Sequence, residues 1–156
     1  MELILQSKPK AIIVDLDGTL CDLSHRVHFV ENPKNGVKDW ESFFLGISED
    51  QINLWCQEVI EAFLDRGYEI LFVTGREESY RKITTDWLEK YKVRYQKLFM
   101  REHGDRREDS DVKVDIYQKE IENKYETLFV LDDRKSVVKA WRDLGLVCLQ
   151  CDEGDF

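Results

Sequence analysis

The sequence predicts an α/β protein: a three-layer, Rossmann-like parallel sheet with helices on both faces. Three observations carry this. Short apolar runs of strand length alternate with longer amphipathic runs along the chain. The strongest short runs, "AIIVDL", "YEILFVTG" and "TLFVLDD", are continuously apolar, as strands covered on both sides are. Strand and helix in repeated alternation require right-handed crossovers and a parallel sheet between two helical layers. The 156 residues, 42% of them hydrophobic, make about one ordinary domain with a real core. No repeat, low-complexity tract or linker divides the chain, so residues 1–156 are read as one domain.

Each element has its own signal. "AIIVDL" is the first buried strand. Residues 21–47 are irregular, with Asn32, Pro33, Asn35 and Gly36 marking a loop before the short amphipathic patch "DWESFFLG". "ISEDQINLWCQEVIEAFLDRG" reads as a helix: Ser48 and Gln51 form a capping box, Ile52, Trp55, Val59 and Phe63 recur at helical spacing, and Gly67 ends it. "YEILFVTG" is the second strand. "ESYRKITTDWLEKY" places Tyr80, Ile83, Trp87 and Tyr91 on one helical face. "KLFM" is a short strand, "VKVDIYQKEIENKY" a helix and "TLFVLDD" the third strong strand. Helix "KSVVKAWRDLG", with Val137, Val138, Trp141 and Leu144 inward, and strand "LVCLQ" close the chain.

Composition excludes some classes. With 32 acidic against 23 basic residues the net charge is -9, which offers no broad attraction to polyphosphate and argues against extended nucleic-acid wrapping. The start "MELILQSKPK" has no cationic leader, and no segment reaches the roughly 20 apolar residues of a membrane span. A soluble, cytoplasmic protein without membrane partners is expected. Cys21, Cys56, Cys148 and Cys151 are read as reduced; Cys148 and Cys151 form a C-x-x-C, but His25, His28 and His103 are scattered, so buried small hydrophobes are expected instead of zinc ligands.

In an open α/β sheet the ligand lies beyond the carboxyl ends of the strands. Three strands end there in "DLDGT", "TGR" and "LDDR", which bring Asp15, Asp17, Thr74, Arg76, Asp132, Asp133 and Arg134 together. Each piece has an ordinary explanation taken singly, as a capping Asp or a Thr-Gly turn. Their convergence on one edge points to a site. Asp15 and Asp17, two apart, point the same way on extended backbone, and two like charges held close need a cation or a proton.

"DLDGTL", "FVTGR", Lys113 and "LDDR" resemble the four motifs of the haloacid-dehalogenase-like phosphohydrolases, in that family's order. "MREHGDRREDSDVK" and "GLVCLQCDEGDF" are similar to the phosphatase domain of bacteriophage-type polynucleotide kinase/3′-phosphatases. The resemblance implies Mg²⁺-dependent removal of 3′-phosphate from DNA or RNA ends through an aspartyl-phosphate. Asp15 would be the nucleophile and Asp17 the general acid and base. Asp15, the main-chain carbonyl of Asp17, and Asp132 would hold Mg²⁺, with Asp133 a further ligand or an orienter. Thr74, Gly75 and Lys113 would bind the phosphate oxygens, Arg76, Arg101, Arg134 and Arg26 would assist at the substrate, and Asp109 would orient Lys113 or an Arg.

Thr74 stands where that enzyme has Ser, and either supplies one hydroxyl. No G-x-x-x-x-G-K-[ST] occurs, so kinase activity, and any ligase, is expected in another chain or segment. Residues 22–66 have room for a small helical cap, which favours a bulky polynucleotide end over an enclosed metabolite. The alternatives are a nucleotidase or small-molecule phosphatase of the same fold, and a non-catalytic module that binds nucleic-acid ends.

Overall fold

In the computed structural model, which describes residues 6–156, five parallel strands form the central sheet. They are β1 (Lys10–Val14), β4 (Glu69–Glu77), β5 (Lys97–Arg101), β6 (Glu126–Arg134) and β7 (Cys148–Gly154), in the order β5-β4-β1-β6-β7. The two short strands β2 (Cys21–Asp22) and β3 (Gln51–Ile52) pair antiparallel beyond the sheet. Residues 1–5 of the predicted leader-free start lie outside the described residues.

Alternate β1 residues feed two separate cores. Ile12 and Val14 join Ile70 and Phe72 against Cys56 and Ile60 of α2 (Leu54–Asp65) and Trp87 and Leu88 of α3 (Arg81–Lys90). Ala11 and Ile13 join Leu71, Val73 and Val130 against Val137, Val138 and Trp141 of α5 (Lys135–Asp143). That side also takes Tyr117 and Ile121, which lie in the π-helical turn continuing α4 (Asp109–Ile116). A strand with no exposed face is why the apolar runs do not alternate. The three predicted layers are present, and each fully buried large side chain contributes roughly 1.5–3 kcal/mol.

Register delivers the site. Val14 lies opposite Phe72 on one side and Leu131 on the other, so Asp15, Thr74 and Asp132 emerge together at the carboxyl edge. The insertion after β1 covers that edge with α1 (Trp40–Leu45), capped by the Asp39 carboxylate on the Ser42 amide, and with two single 3₁₀ turns.

Three boundaries differ from the sequence expectation. The helix predicted from Ile47 begins at Leu54, and the Ser48/Gln51 capping box is not made. Asp50 is instead drawn inward by Arg26, while Gln51 and Ile52 pair with β2. The buried face of α2 is consequently Cys56 and Ile60, with Trp55 turned to solvent. Helix α4 starts at Asp109, four residues before Lys113, so both side chains share one face. The last strand begins at Cys148 and runs to Gly154, because Leu146 still closes the end of α5 through Trp141 O.

Candidate active site

The cluster at the end of β1 is built by a tight turn. The Asp15 amide bonds Leu131 O of the neighbouring strand at 3.0 Å, and Thr19 and Cys21 amides both return to Leu16 O. Gly18 sits at φ +82, and a Cβ there would fall 2.2 Å from Asp133 Oδ2. A Cβ at Gly154 would meet the same oxygen at 2.2 Å. Two glycines therefore make the space that the Asp133 carboxylate occupies.

Asp15, Asp132 and Asp133 each place a carboxylate oxygen within 4.8 Å of the others, and all three are buried. Lys113 Nζ donates to Asp15 Oδ1 at 2.9 Å and to Asp132 Oδ2 at 3.0 Å, and Trp141 Nε1 donates to Asp132 Oδ2 at 3.2 Å. Asp133 Oδ1 is buried without a hydrogen-bond partner among the described residues. Burial, and then the Asp132 charge beside it, push the Asp133 carboxyl up to about 7. Burial raises the Asp15 carboxyl too, with Lys113 opposing and Asp132 and Asp133 reinforcing the rise. The Lys113 ammonium is held well above its ordinary value, because Asp109, Asp132 and Asp15 outweigh its burial. Three carboxylates against one ammonium leave excess negative charge and one orphaned oxygen. That donor set fits a hard divalent cation such as Mg²⁺.

Asp17 does not share this compensation. Arg76 grips it bidentately, Nε to Oδ2 at 3.0 Å and Nη2 to Oδ1 at 2.7 Å, and Arg26 Nη2 reaches Oδ1 at 2.5 Å. Burial alone would raise its pKa, but the two guanidiniums overcome that and hold it well below the usual carboxylate range. The Asp17 side chain is committed to arginine, which leaves its main-chain carbonyl as the oxygen free to face a metal. Arg26 and Arg76, expected at the substrate, are fully buried and stand behind Asp17 instead. Thr74 is also buried, and its Oγ1 accepts the Arg76 amide at 3.3 Å; with Gly75 it lines the cavity.

Asp109 is the hub of the opposite wall. Its carboxylate lies 3.4 Å from Arg101 Nη2, 3.5 Å from Lys113 Nζ and 3.6 Å from Arg134 Nη1. Arg101 also fixes the loop before α4, donating to Gly75 O, Asp105 O and Arg107 O. At Gly75 a Cβ would stand 2.1 Å from Asp109 Oδ1, so this glycine admits the hub. The expected pairing of Asp109 with Lys113 or an Arg is thus made with all three cations. A cavity of about 630 Å³ opens between this wall and α1, with Asp15, Asp17 and Asp133 at its base.

Sequence reasoning missed two features. Asp50, fully buried, takes Arg26 Nε and Nη2 at 2.7 and 2.6 Å and His25 Nε2 at 2.7 Å. In sequence it looks like an ordinary acidic residue near a helix start. The aromatic wall of Trp40, Phe43 and Phe44 was equally hidden, since core and cavity aromatics share the same spacing. The four cysteines are free. Burial pushes the Cys148 and Cys151 thiols up to about 12, so neither is a thiolate at neutral pH. Among the described residues no helix is long and apolar enough to cross a membrane.

Comparison with known proteins places this geometry. Residues 9–156 match the family model of the polynucleotide kinase PNKP phosphatase domain. A protein of the Autographa californica nuclear polyhedrosis virus that carries the name bifunctional polynucleotide kinase/RNA ligase is 31% identical over 141 residues, 88% of this chain and 18% of its own. A chain in the structure of the Pnkp1/Rnl/Hen1 complex superposes with a TM-score of 0.81 at 35% identity, over 97% of this chain and 48% of that one. A class C acid phosphatase from Bacillus anthracis, with tungstate bound, shares the fold at 14% identity and a TM-score of 0.69, over 96% of this chain and 69% of that one. The chain therefore spans about half or less of the polynucleotide kinase relatives it matches.

Proposed function

The chain belongs to the polynucleotide kinase phosphatase-domain family of haloacid-dehalogenase-like phosphohydrolases, and from that premise we propose that it removes terminal 3′-phosphate from DNA or RNA ends, with Mg²⁺ as cofactor. The observation that carries the chemistry is the division of charge between the two carboxylates of "DLD". Asp15 lies against Lys113 and the Asp132/Asp133 pair, while Asp17 lies against Arg26 and Arg76.

The residues divide the work accordingly. Asp15 attacks phosphorus in line, the P–O ester bond breaks, and the 3′-oxygen leaves with a proton from Asp17. Water then attacks the aspartyl-phosphate, its proton passes to Asp17, and phosphate and free Asp15 are released. Thr74 Oγ1, the Gly75 turn and Lys113 Nζ hold the non-bridging oxygens. Arg26 and Arg76 act by aiming Asp17, and Asp109 by aiming Lys113, Arg101 and Arg134. Asp15, Asp132, Asp133 and the Asp17 carbonyl would hold Mg²⁺, which would supply neutralisation of phosphate charge.

The whole chain acts as one phosphatase domain in this reading. Within 22–66, α1 and its flanking turns serve as a small cap, while α2 packs on the sheet. The names of the viral protein and of the Pnkp1/Rnl/Hen1 complex support a separate kinase or ligase as pathway partner, and a cytoplasmic place of action is part of the same proposal.

Phosphate release from a 3′-phosphorylated oligonucleotide, its 5′-phosphorylated counterpart and a mononucleotide tests the substrate. Release from the 3′ end alone is expected, and release from only the 5′ end or from free 5′-nucleotides would show a nucleotidase instead. Asp15→Asn should lower turnover by at least ~10⁴-fold. Unchanged turnover in that variant would refute Asp15 as the nucleophile.

A further inference from the structure

The cavity has an aromatic wall that the phosphatase chemistry does not use. Trp40 opens α1 and remains 38% exposed, although it is one of the largest side chains on the cavity. It is braced from within: its ring stacks on Phe44 at 5.9 Å and 23°, and meets Phe43 edge-on at 5.6 Å and 89°. Phe44 in turn lies 4.8 Å from Tyr80 at the start of α3. A flat indole that lines the cavity and is fixed on a buried aromatic stack loses little freedom when a second flat ring lies on it.

Charge at the mouth points to the same occupant. Lys38 and Arg106 both line the cavity, and among the described residues neither is in an ion pair. Lys38 Nζ rests 5.5 Å from the Trp40 ring centroid, near the outer limit of a cation–π contact. In a protein of net charge -9, one cation beside the aromatic platform and a second lining the same cavity suit an anionic chain that carries flat bases. The platform also touches the catalytic machinery. Phe43 O accepts Arg26 Nη1 at 3.1 Å, and the Arg26 guanidinium lies 4.2 Å over the Phe43 ring.

We propose that Trp40 is the stacking platform for the terminal nucleobase of the strand whose 3′-phosphate enters the site, with Lys38 and Arg106 receiving the adjoining phosphodiester. This rests on the polynucleotide phosphatase reading and adds to it: the base, besides the phosphate, is recognised.

The test compares three substrates: a 3′-phosphorylated oligonucleotide, the same strand with an abasic terminal nucleotide, and p-nitrophenyl phosphate. The wild-type enzyme should favour the base-bearing end over the abasic end by about 5- to 150-fold in kcat/KM. Trp40→Ala should bring that ratio towards one, and Trp40→Phe, which keeps a flat ring, should retain most of it. Lys38→Ala and Arg106→Ala should each flatten the slope of log(kcat/KM) against log salt by about 0.7. A wild-type ratio near one, or an equal loss on both oligonucleotides in Trp40→Ala, would overturn the platform. Hydrolysis of p-nitrophenyl phosphate with neither oligonucleotide cleaved would instead remove the polynucleotide reading on which it rests.

Discussion

Replacing Asp133 with Asn probes the proposed metal site through stability, without any substrate. The Asp133 carboxyl is pushed from an ordinary 3.8 up to about 7 by burial and by Asp132. Between those two values the folded protein binds a proton that the unfolded chain has released, so stability falls as pH rises through that window. From pH 5 to pH 8 this single group removes about 2.5 kcal/mol. For a domain of this size that is roughly 5–10 °C in Tm. The other strongly perturbed groups do not mimic the effect. Asp17, held low by Arg76 and Arg26, is ionised in both states throughout, and its contribution is lost only in acid. Lys113, held high, stays protonated in both states and loses its contribution only in base. Asp15 moves in the same direction as Asp133 and is raised partly by the Asp133 charge, so Asp133→Asn lessens its rise and widens the difference in the same sense.

Thermal melts in EDTA at pH 5 and pH 8 therefore give a steeper decline for the wild type than for Asp133→Asn. Millimolar Mg²⁺ at pH 8 should raise the wild-type Tm, since a cation bound to the folded state alone stabilises it, and should raise that of the variant less. Parallel pH profiles, or equal Mg²⁺ protection in the two proteins, would refute the placement of Asp133 in a charge cluster built for a cation.

Two further outcomes follow from the same geometry. Asp50→Ala removes the buried partner of Arg26 and should cost roughly 3–5 kcal/mol in urea unfolding, because an uncompensated guanidinium stays buried; a loss below about 1 kcal/mol would mean that Asp17 alone neutralises both arginines. Gly75→Ala forces its Cβ against Asp109 Oδ1 and should lower kcat/KM by roughly 10- to 100-fold, by the reasoning that small displacements of positioning groups are costly in rate; wild-type kinetics would show that the Asp109 hub can shift freely.

Much of this architecture could be read from residue order, and the reason is physical. β1 and β4, and β6 from Val130 to Asp133, are buried on both faces, so their apolar runs are unambiguous, and the polar residues ending each run mark the sheet edge. Asp15, Thr74, Lys113, Asp132 and Asp133 were placed by that rule and by the family motifs. The rule fails where the chain leaves the sheet. Asp50 has the local signature of a helix start, yet a guanidinium 24 residues earlier draws it into the interior and delays α2 to Leu54. The motifs likewise leave the partner of Arg26 and Arg76 open. An arginine next to a motif says that an anion is near, but not whether that anion is substrate or Asp17.

That last distinction bears on how one carboxyl can give a proton and later take one. In the proposed reaction, two guanidiniums keep Asp17 ionised, so that it is free to take a proton from water in the second step though as a weak base, and they oppose the first step, where it must hold a proton to donate. In that proposed reaction the substrate would resolve the conflict by its own charge. A phosphate seated between Asp15 and Thr74 adds negative charge beside Asp17 and raises its proton affinity just when a leaving oxygen needs a donor. Once phosphate has left, Arg26 and Arg76 restore the ionised form. Asp50 limits how far they can do so, since Arg26 divides its hydrogen bonds between the two carboxylates and Arg76 lies 3.7 Å from the second. In the proposed reaction, two arginines shared between two aspartates would thus place the proton affinity of Asp17 under the control of what occupies the cavity.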